Sequence, residues 1–232
     1  MLSNHVGRRI AAAFVLPMLL AGCAARQGGN GRLSSSRRAL TLAEKFGLVD
    51  VRQAVPGIVV DLRYTTRQNV TGQPIYPRQM PCLLLRSTAE RLKLAQAALR
   101  AQGYGIKIWD AWRPMEAQEK LYAHGGKTGM FLDPKVGWSR HCGGVSLDAT
   151  LVDSAGREQV MPTYFDENLA HAASSLTSAD PIVRRNLVLL HGAMSGAGLM
   201  PLLAEWWHFD DIDFLSDPVP VIRGRDLGVV IQ

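Results

Sequence analysis

Apolar positions along the chain recur with two different periods, and these periods predict the secondary structure. Segments rich in β-branched and aromatic residues predict four strands, at residues 57–64, 106–111, 145–152 and 206–210. Apolar positions with helical spacing predict three helices, at residues 87–99, 114–123 and 182–194. Helices separate the strands irregularly, without repeated βαβ units, so the pattern favours an α+β fold with a mainly antiparallel sheet flanked by helices.

Residue types at the ends of the predicted helices support these boundaries. Ser87-Thr88-Ala89-Glu90 has the composition of a capping box at the start of the first helix, and Gly103 follows its end. Pro114 suits the first turn of the second helix. The turn-forming residues of Thr71-Gly72-Gln73-Pro74 predict a loop.

The beginning of the chain has a different pattern, typical of an export signal. Arg8-Arg9 precede an apolar run that ends at Leu20, which is too short to span a membrane as a helix. The run continues into Leu19-Leu20-Ala21-Gly22-Cys23, which resembles the lipobox of bacterial lipoproteins. In a lipobox the signal is removed before the cysteine, and the cysteine is then lipidated.

These features predict three regions. We expect a signal peptide over residues 1–22, a basic, flexible tether lipidated at Cys23 over residues 23–45, and one domain over residues 46–232. Acyl chains on Cys23 would hold the protein at a membrane. Because Ala24 is not an aspartate, resemblance to Gram-negative sorting rules favours the outer membrane, with the protein facing the periplasm.

The net charge of +6 comes from the N-terminal region. Seven of the 26 basic residues but only one of the 20 acidic residues precede Phe46, so the remainder of the chain is neutral. A neutral domain presents no basic face, and we expect no nucleic-acid partner. The basic tether has two interpretations, contact with anionic lipid or wall polymer and a merely solvated linker.

Two histidines and two carboxylates in two short segments have the composition of a catalytic zinc site. His141 and Asp148 lie seven residues apart with two glycines between them, and His208 follows Glu205 by three residues. Neutral imidazole and carboxylate are ligands that zinc accepts, and three protein ligands leave one position open for water. Glu205 then has the chemistry of a general base. On a regular strand Glu205 and His208 would face opposite ways, so we expect Glu205 at the strand start, where the backbone turns.

Two cysteines remain if Cys23 is lipidated. Cys82 and Cys142 would lie in an oxidising compartment, where they can form a disulfide. Cys142 also adjoins His141, and a fourth ligand there would close the zinc site. A small buried side chain is the third interpretation of Cys142.

The pattern His141-x6-Asp148 with Glu205-x-x-His208 downstream resembles the zinc D,D-peptidases, which include D-alanyl-D-alanine carboxypeptidases and dipeptidases. Further segments resemble the D-alanyl-D-alanine dipeptidase family (VanX type), in the family's order: Val60-Asp61-Leu62-Arg63-Tyr64-Thr65-Thr66 with Asn69 and Thr71-Gly72, then Asp110-Ala111-Trp112-Arg113-Pro114, then Ser139-Arg140-His141. The resemblance covers residues 50–212 and implies the zinc D,D-peptidase (hedgehog/DD-peptidase-like) fold.

The resemblance also implies roles for individual residues. It implies His141, Asp148 and His208 as the ligands of one zinc ion, with Glu205 as the general base. Arg113 matches an arginine that stabilises the transition-state oxyanion, the alternative being a structural salt bridge. The implied substrate-binding residues are Ser139 near the carboxylate, Asp166 near the ammonium group, and Tyr64, which lines the same pocket or belongs to the core.

This chain departs from the family pattern at two places. Ser146 replaces the alanine of the usual Gly-x-Ala-x-Asp motif, and Cys142-Gly143-Gly144 is an unusual loop sequence. The leading interpretation is a lipid-anchored zinc dipeptidase that hydrolyses D-Ala-D-Ala in cell-wall precursor or fragment turnover. The alternatives are a D,D-carboxypeptidase that trims peptidoglycan stem peptides and a non-catalytic wall-binding lipoprotein, although a pure binding protein has no need of Glu205.

Overall fold

The computed structural model describes residues 35–167, 172, 178–218 and 220–232. The predicted signal peptide, Cys23 and the first part of the tether lie outside these residues. Five α-helices are described: α1 Ser35–Ala43, α2 Val51–Ala54, α3 Arg86–Arg100, α4 Met115–Gly125 and α5 Pro181–Gly196. Seven strands are described: β1 Leu48–Asp50, β2 Val59–Val60, β3 Leu83–Leu85, β4 Tyr104–Asp110, β5 Ser146–Asp153, β6 Leu199–Leu202 and β7 Glu205–Asp211.

The strands form one large sheet and one small one. The large sheet has the strand order β2-β4-β5-β7-β6, and β1 pairs with β3 separately. β2 runs parallel to β4, whereas all other neighbours are antiparallel. Helices α3 and α5 pack against each other and against the large sheet. The predicted α+β class with a mainly antiparallel sheet is therefore confirmed.

The central strand β5 has two chemically different faces. Its residues from Ser146 to Val152 are all buried. Because successive side chains of a strand point to opposite faces, Leu147, Ala149 and Leu151 form an apolar face in the core. The opposite face carries Ser146, Asp148 and Thr150. Burying a polar side chain without a hydrogen-bond partner costs free energy, so the polar side chains on this second face favour a hydrogen-bond network there.

The helix α3 begins by a different device from the predicted capping box. It extends over Arg86–Arg100, and its N-cap residue Leu85 makes no side-chain cap. Thr88 is buried, and its hydroxyl donates a hydrogen bond of 2.7 Å to Asp211 at the end of β7. The capping-box prediction is therefore wrong, because the helix already begins at Arg86, before Ser87, the residue that would have capped it.

Two further predictions are corrected by the structure. The strand predicted at 57–64 is limited to Val59–Val60, and a 3-10 helix follows over Arg63–Thr65. Residues 35–45, predicted as flexible tether, form α1 and the start of a 3-10 helix over Glu44–Phe46. Ala39 and Ala43 of α1 are 1% exposed and belong to the hydrophobic core, so this part of the predicted tether is part of the fold.

Among the residues that the structure describes, no helix is long and apolar enough to cross a bilayer.

Candidate active site

The large sheet and one short turn bring together the three predicted metal ligands. Asp148 on β5 is the register partner of His208 on β7, and His141 lies in a 3-10 turn over Arg140–Gly143 just before β5. One ligand atom from each residue lies within 4.8 Å of the others. Asp148 Oδ1 is 3.0 Å from His208 Nδ1 and 3.3 Å from His141 Nε2, and the two imidazole nitrogens are 3.2 Å apart.

The turn that carries His141 depends on Gly144. Gly144 has a φ of 71°, in the left-handed region that glycine adopts without steric cost. A Cβ at this position would also lie 2.7 Å from Leu48. Ser139 caps the turn, because its hydroxyl accepts a hydrogen bond of 3.3 Å from the His141 backbone amide. The chain can therefore reverse between His141 and β5, which returns the imidazole to Asp148.

Hydrogen bonds behind the two imidazoles set which nitrogen faces the cluster. His141 Nδ1 lies 2.8 Å from the Ala111 carbonyl oxygen, which can only accept, so Nδ1 carries the proton and Nε2 is free to ligate. His208 Nε2 lies 3.0 Å from Asp210 Oδ1 and Nδ1 lies 3.0 Å from Asp148 Oδ1, so Nε2 can donate to Asp210 while Nδ1 faces the cluster. His141 Nε2 and His208 Nδ1 both point to the place that a metal ion would occupy.

The electrostatics of the cluster favour a cation. Burial opposes ionisation of Asp148, but His141 and His208 outweigh it and lower the pKa of this carboxyl. Burial lowers the pKa of His208, but hydrogen bonds to Asp148 and Asp210 outweigh it and raise the pKa to about 10. The two carboxylates beside His208 therefore stabilise a positive charge at this place. Two imidazole nitrogens and a carboxylate oxygen at these separations are a donor set that zinc accepts.

Glu205 is the first residue of β7 and lies beside this cluster. It is 9% exposed, and burial raises the pKa of its carboxyl. With His141, Asp148 and His208 it lines a cavity of about 180 Å³, called the site cavity below. The prediction that Glu205 stands at the strand start is confirmed.

Arg113 reaches the site cavity from the end of β4 and is held on three sides. Its Nε donates to Asp110 over 2.8 Å, one terminal nitrogen donates to Gln118 over 2.9 Å, and the other to Asp148 over 3.3 Å. The guanidinium also lies 5.2 Å from the ring centroid of Tyr64. A guanidinium fixed in this way makes a salt bridge and still presents its remaining N–H donors to the site cavity.

Asp166 closes another wall of the site cavity. Its carboxylate accepts hydrogen bonds from the Tyr64 hydroxyl over 3.2 Å and from the Val70 amide over 3.3 Å. Burial raises the pKa of Asp166 to about 8, although the charge of Arg113 opposes this shift. Its φ of 57° is unusual for a residue other than glycine, and such backbone strain is often stored at functional sites.

The other two predicted substrate-binding residues differ in position. Ser139 lines the site cavity. Tyr64 is fully buried among aromatic rings and reaches the site through its hydrogen bond to Asp166. Of the two interpretations given to Tyr64, the structure supports a core residue that positions a cavity residue.

The two cysteines do not belong to the group of residues that could hold a metal ion. Cys82 and Cys142 are both buried free thiols, so the structure contains no disulfide between them. Burial raises the pKa of both thiols, that of Cys142 to about 12, which disfavours the thiolate that binds metal. Cys142 is therefore a small buried side chain in the turn after His141.

Several residues of the site were not singled out from the sequence. Asp110 accepts from Arg113 and from the Tyr76 hydroxyl, and Gln118 joins Arg113 to the Leu132 carbonyl in the loop at the cavity mouth. Asp210 accepts from His208. Of these residues, only Asp210 could have been predicted from the sequence. It lies two residues after His208, and side chains two residues apart on a strand share a face.

A second, larger cavity adjoins the site cavity. It has a volume of about 980 Å³ and is lined by Arg63, residues 67–70, Trp109, Thr150 and residues 158–167. Asp166 lines both cavities.

Comparison with known proteins gives consistent matches. Residues 44–221 match the model of peptidase family M15, described as D-ala-D-ala dipeptidase. The chain is 33% identical over 169 residues to a D-alanyl-D-alanine dipeptidase of Escherichia coli K12, covering 73% of this chain and 86% of the relative. Relatives with the same description from Enterococcus faecalis (26% identity, 75% and 94% covered) and Streptomyces coelicolor (27% identity, 71% and 90% covered) also match.

Proposed function

The chain belongs to the D-Ala-D-Ala dipeptidase family of metallopeptidases, and from this membership we propose that it is a zinc enzyme that hydrolyses free D-Ala-D-Ala with Glu205 as general base. The observation that carries the proposal is the cluster of His141, Asp148 and His208 in a small cavity that Glu205 also lines. Metal-assisted hydrolysis requires metal ligands, an acid–base residue and a cavity for the substrate in one place.

The three ligands would hold zinc through His141 Nε2, Asp148 Oδ1 and His208 Nδ1. When bound there, zinc would polarise the scissile carbonyl and lower the pKa of a water molecule toward about 7. Three protein ligands leave a position open, as a catalytic rather than a structural zinc site requires. The choice of zinc over another divalent metal rests on the ligand types.

Glu205 would accept a proton from the attacking water on its carboxylate and return it to the nitrogen of the leaving D-alanine. The raised pKa of its carboxyl suits this role, because it makes the carboxylate a stronger base and lets the carboxyl hold the proton until the leaving nitrogen takes it. Its position in the cavity wall, rather than among the grouped ligand atoms, leaves the carboxylate free for proton transfer.

Arg113 would stabilise the oxyanion that forms as water adds to the peptide carbonyl. Asp110 and Gln118 hold the guanidinium in place before substrate enters, so little reorganisation is needed when charge develops. This role is compatible with its salt bridge to Asp148, since a guanidinium has five N–H donors.

The size and charge of the site cavity support a dipeptide as substrate. Its volume of about 180 Å³ is below the range of about 300–1,000 Å³ that is typical of pockets for drug-sized ligands. A free dipeptide ends in an ammonium group and a carboxylate. Asp166 would bind the ammonium group, whose positive charge favours the ionised form of the Asp166 carboxyl. Ser139 and the N–H donors of Arg113 would bind the carboxylate.

The first 23 residues of the chain support a proposal about where the protein acts in the cell. We propose that residues 1–22 direct export and that Cys23 is lipidated. The lipid would anchor the protein to the periplasmic face of the outer membrane. In this compartment the enzyme would act on D,D-peptides in cell-wall precursor or fragment turnover.

The test is hydrolysis of free D-Ala-D-Ala beside a stem pentapeptide that ends in D-Ala-D-Ala, with and without a chelator. We expect chelator-sensitive release of D-alanine from the dipeptide and no release from the pentapeptide. Release from the pentapeptide alone would instead make the protein a D,D-carboxypeptidase. Zinc binding without cleavage of either peptide would overturn the proposed substrate and leave the metal centre standing.

A further inference from the structure

Ser146 and Asp210 form a buried polar pair directly beside the ligand pair. They are register partners on β5 and β7, two residues along each strand from Asp148 and His208. Side chains two residues apart on a strand share a face, so both pairs lie on the polar face of the sheet. Ser146 is completely buried and Asp210 is 6% exposed, and the serine hydroxyl donates a hydrogen bond to Asp210 Oδ1.

The Asp210 carboxylate is held from three directions. Oδ1 accepts from Ser146 and from His208 Nε2, the latter over 3.0 Å. Oδ2 lies 3.4 Å from a terminal nitrogen of Arg140. Arg140 is itself anchored, because it donates to the carbonyl oxygens of Phe214 over 3.1 Å and Leu215 over 2.7 Å. A carboxylate with this many fixed donors has little freedom to rotate.

We propose that Ser146 and Asp210 are positioning residues for the metal centre, with Asp210 fixing the tautomer and orientation of the His208 ring and Ser146 fixing Asp210. The inference rests on the proposed function, because it takes His208 as a metal ligand. Serine stands where the resembled Gly-x-Ala-x-Asp motif has alanine, so the hydroxyl is a feature of this chain.

One oxygen atom, Asp210 Oδ1, connects Ser146 with His208. Asp210 Oδ1 accepts the Nε2 proton of His208, so Nδ1, which faces Asp148 and His141, would be the nitrogen that ligates the metal. If the carboxylate turned toward Arg140, the imidazole would lose this acceptor and with it the preference for one ring orientation. The Ser146 hydroxyl opposes that rotation by binding the same oxygen. Outer partners of metal-binding histidines typically change metal affinity by about 10–100-fold when mutated.

The test measures Zn²⁺ affinity by competition with a chromogenic chelator, on the full chain, for wild type, Ser146→Ala, Asp210→Asn and the double variant. We expect Asp210→Asn to weaken zinc binding by about 10–100-fold and Ser146→Ala by a smaller factor. Because Ser146 acts through Asp210, the double variant should bind zinc as weakly as Asp210→Asn alone.

The matched control is Thr150→Val, which removes another hydroxyl from the same face of β5. Thr150 is 1% exposed and its hydroxyl has no hydrogen-bond partner among the residues that the structure describes, so its removal tests the loss of a buried hydroxyl alone. We expect unchanged zinc affinity for this variant. A loss as large as that of Ser146→Ala would overturn the positioning role and indicate general damage to the strand.

A second measurement reads the imidazole directly. In the zinc-loaded protein, ¹⁵N spectra of the histidine rings should show His208 protonated at Nε2, and the resonance should shift or broaden in both variants. If Asp210→Asn fails to fold, the ¹⁵N spectra of Ser146→Ala alone still provide the test. Equal zinc affinities and unchanged ring spectra in wild type and Ser146→Ala would overturn the inference. A wild type that binds no zinc would instead overturn the metal centre on which the proposed function rests.

Discussion

Glu205 and His208 lie three residues apart on β7, and both side chains nevertheless line the site cavity. Regular alternation would place them on opposite faces of the strand. The pairing between β6 and β7 is irregular here, because Pro201 pairs with Phe209 whereas the next residue, Leu202, pairs with Glu205. The extra residues on β7 turn its first position toward the cavity, which brings the Glu205 carboxylate beside His208, a predicted metal ligand, without adding it to the ligand cluster.

Replacing this carboxylate with its uncharged isostere should remove catalysis and leave the metal centre intact. We expect Glu205→Gln to lower kcat for D-Ala-D-Ala by about 10²–10⁴-fold, the usual contribution of a general base. Zinc content and melting temperature should stay close to wild type. The control is Glu90→Gln on the exposed side of α3, which should leave kcat unchanged. Wild-type activity in Glu205→Gln would exclude Glu205 as the base.

Arg113→Lys should impair both activity and stability. Lysine keeps the charge but cannot bind Asp110, Gln118 and Asp148 together, so we expect kcat to fall by about 10²–10³-fold. The melting temperature should also fall, because Asp110, Gln118 and Asp148 are buried and at least one of them would lose its hydrogen bond. Arg91→Lys is the matched control: Arg91 pairs with Asp211 and Asp213 outside the site cavity, so this variant should lose stability and keep kcat. Equal kcat in both variants would leave Arg113 a purely structural role.

Asp166→Asn should weaken recognition of the free amino end. Hydrogen bonds to charged groups contribute about 1.5–3 kcal/mol, so we expect KM for D-Ala-D-Ala to rise about tenfold to a hundredfold, with a smaller change in kcat. The exposed Asp217→Asn should behave as wild type. An unchanged KM in Asp166→Asn would show that the ammonium group binds elsewhere.

Binding of the dipeptide should release a proton from Asp166. The pKa of its carboxyl in the free protein is about 8, so the group is mainly protonated at pH 6.5. An ammonium group beside it favours the ionised form and lowers its pKa, so the proton leaves when the ligand binds. Calorimetric titration of inactive Glu205→Gln with D-Ala-D-Ala, in buffers of different ionisation enthalpy, measures this proton. Release should disappear as the pH rises above 8 and should be absent in the Glu205→Gln, Asp166→Asn double variant.

Removal of the metal should destabilise the domain. A ligand that binds only the folded state stabilises it by about 2.7 kcal/mol at 100 times its Kd, which corresponds to roughly 5–10 °C in a domain of this size. We expect zinc to raise the melting temperature of the metal-free protein by about this amount. His208→Ala should abolish most of the increase, whereas His124→Ala, at an exposed position on α4, should keep it. An equal increase in both variants would place the zinc outside the cluster.

Secondary structure within this fold could be predicted where the signal is local. The observed bounds of β4, β5, β7 and α3 to α5 lie within a few residues of the predicted segments, because periodicity in the sequence reflects burial of one face. The sequence does not reveal helix α1, because among its described side chains only Ala39 and Ala43 are buried, and its polar composition matches that of a linker. The strand at 57–64 was overextended because apolar β-branched residues do not reveal how many of them find a partner strand.

By itself, the sequence determined the chemistry of this protein: the identities of His141, Asp148, Glu205 and His208 and their spacing predict a metal-dependent hydrolase. The tertiary structure alone decided their geometry. Strand register placed Asp148 opposite His208 and Ser146 opposite Asp210, and the irregular pairing of β6 turned Glu205 into the cavity. Register depends on contacts between residues far apart in the chain, and a single strand carries no information about which residue of another strand will lie opposite it.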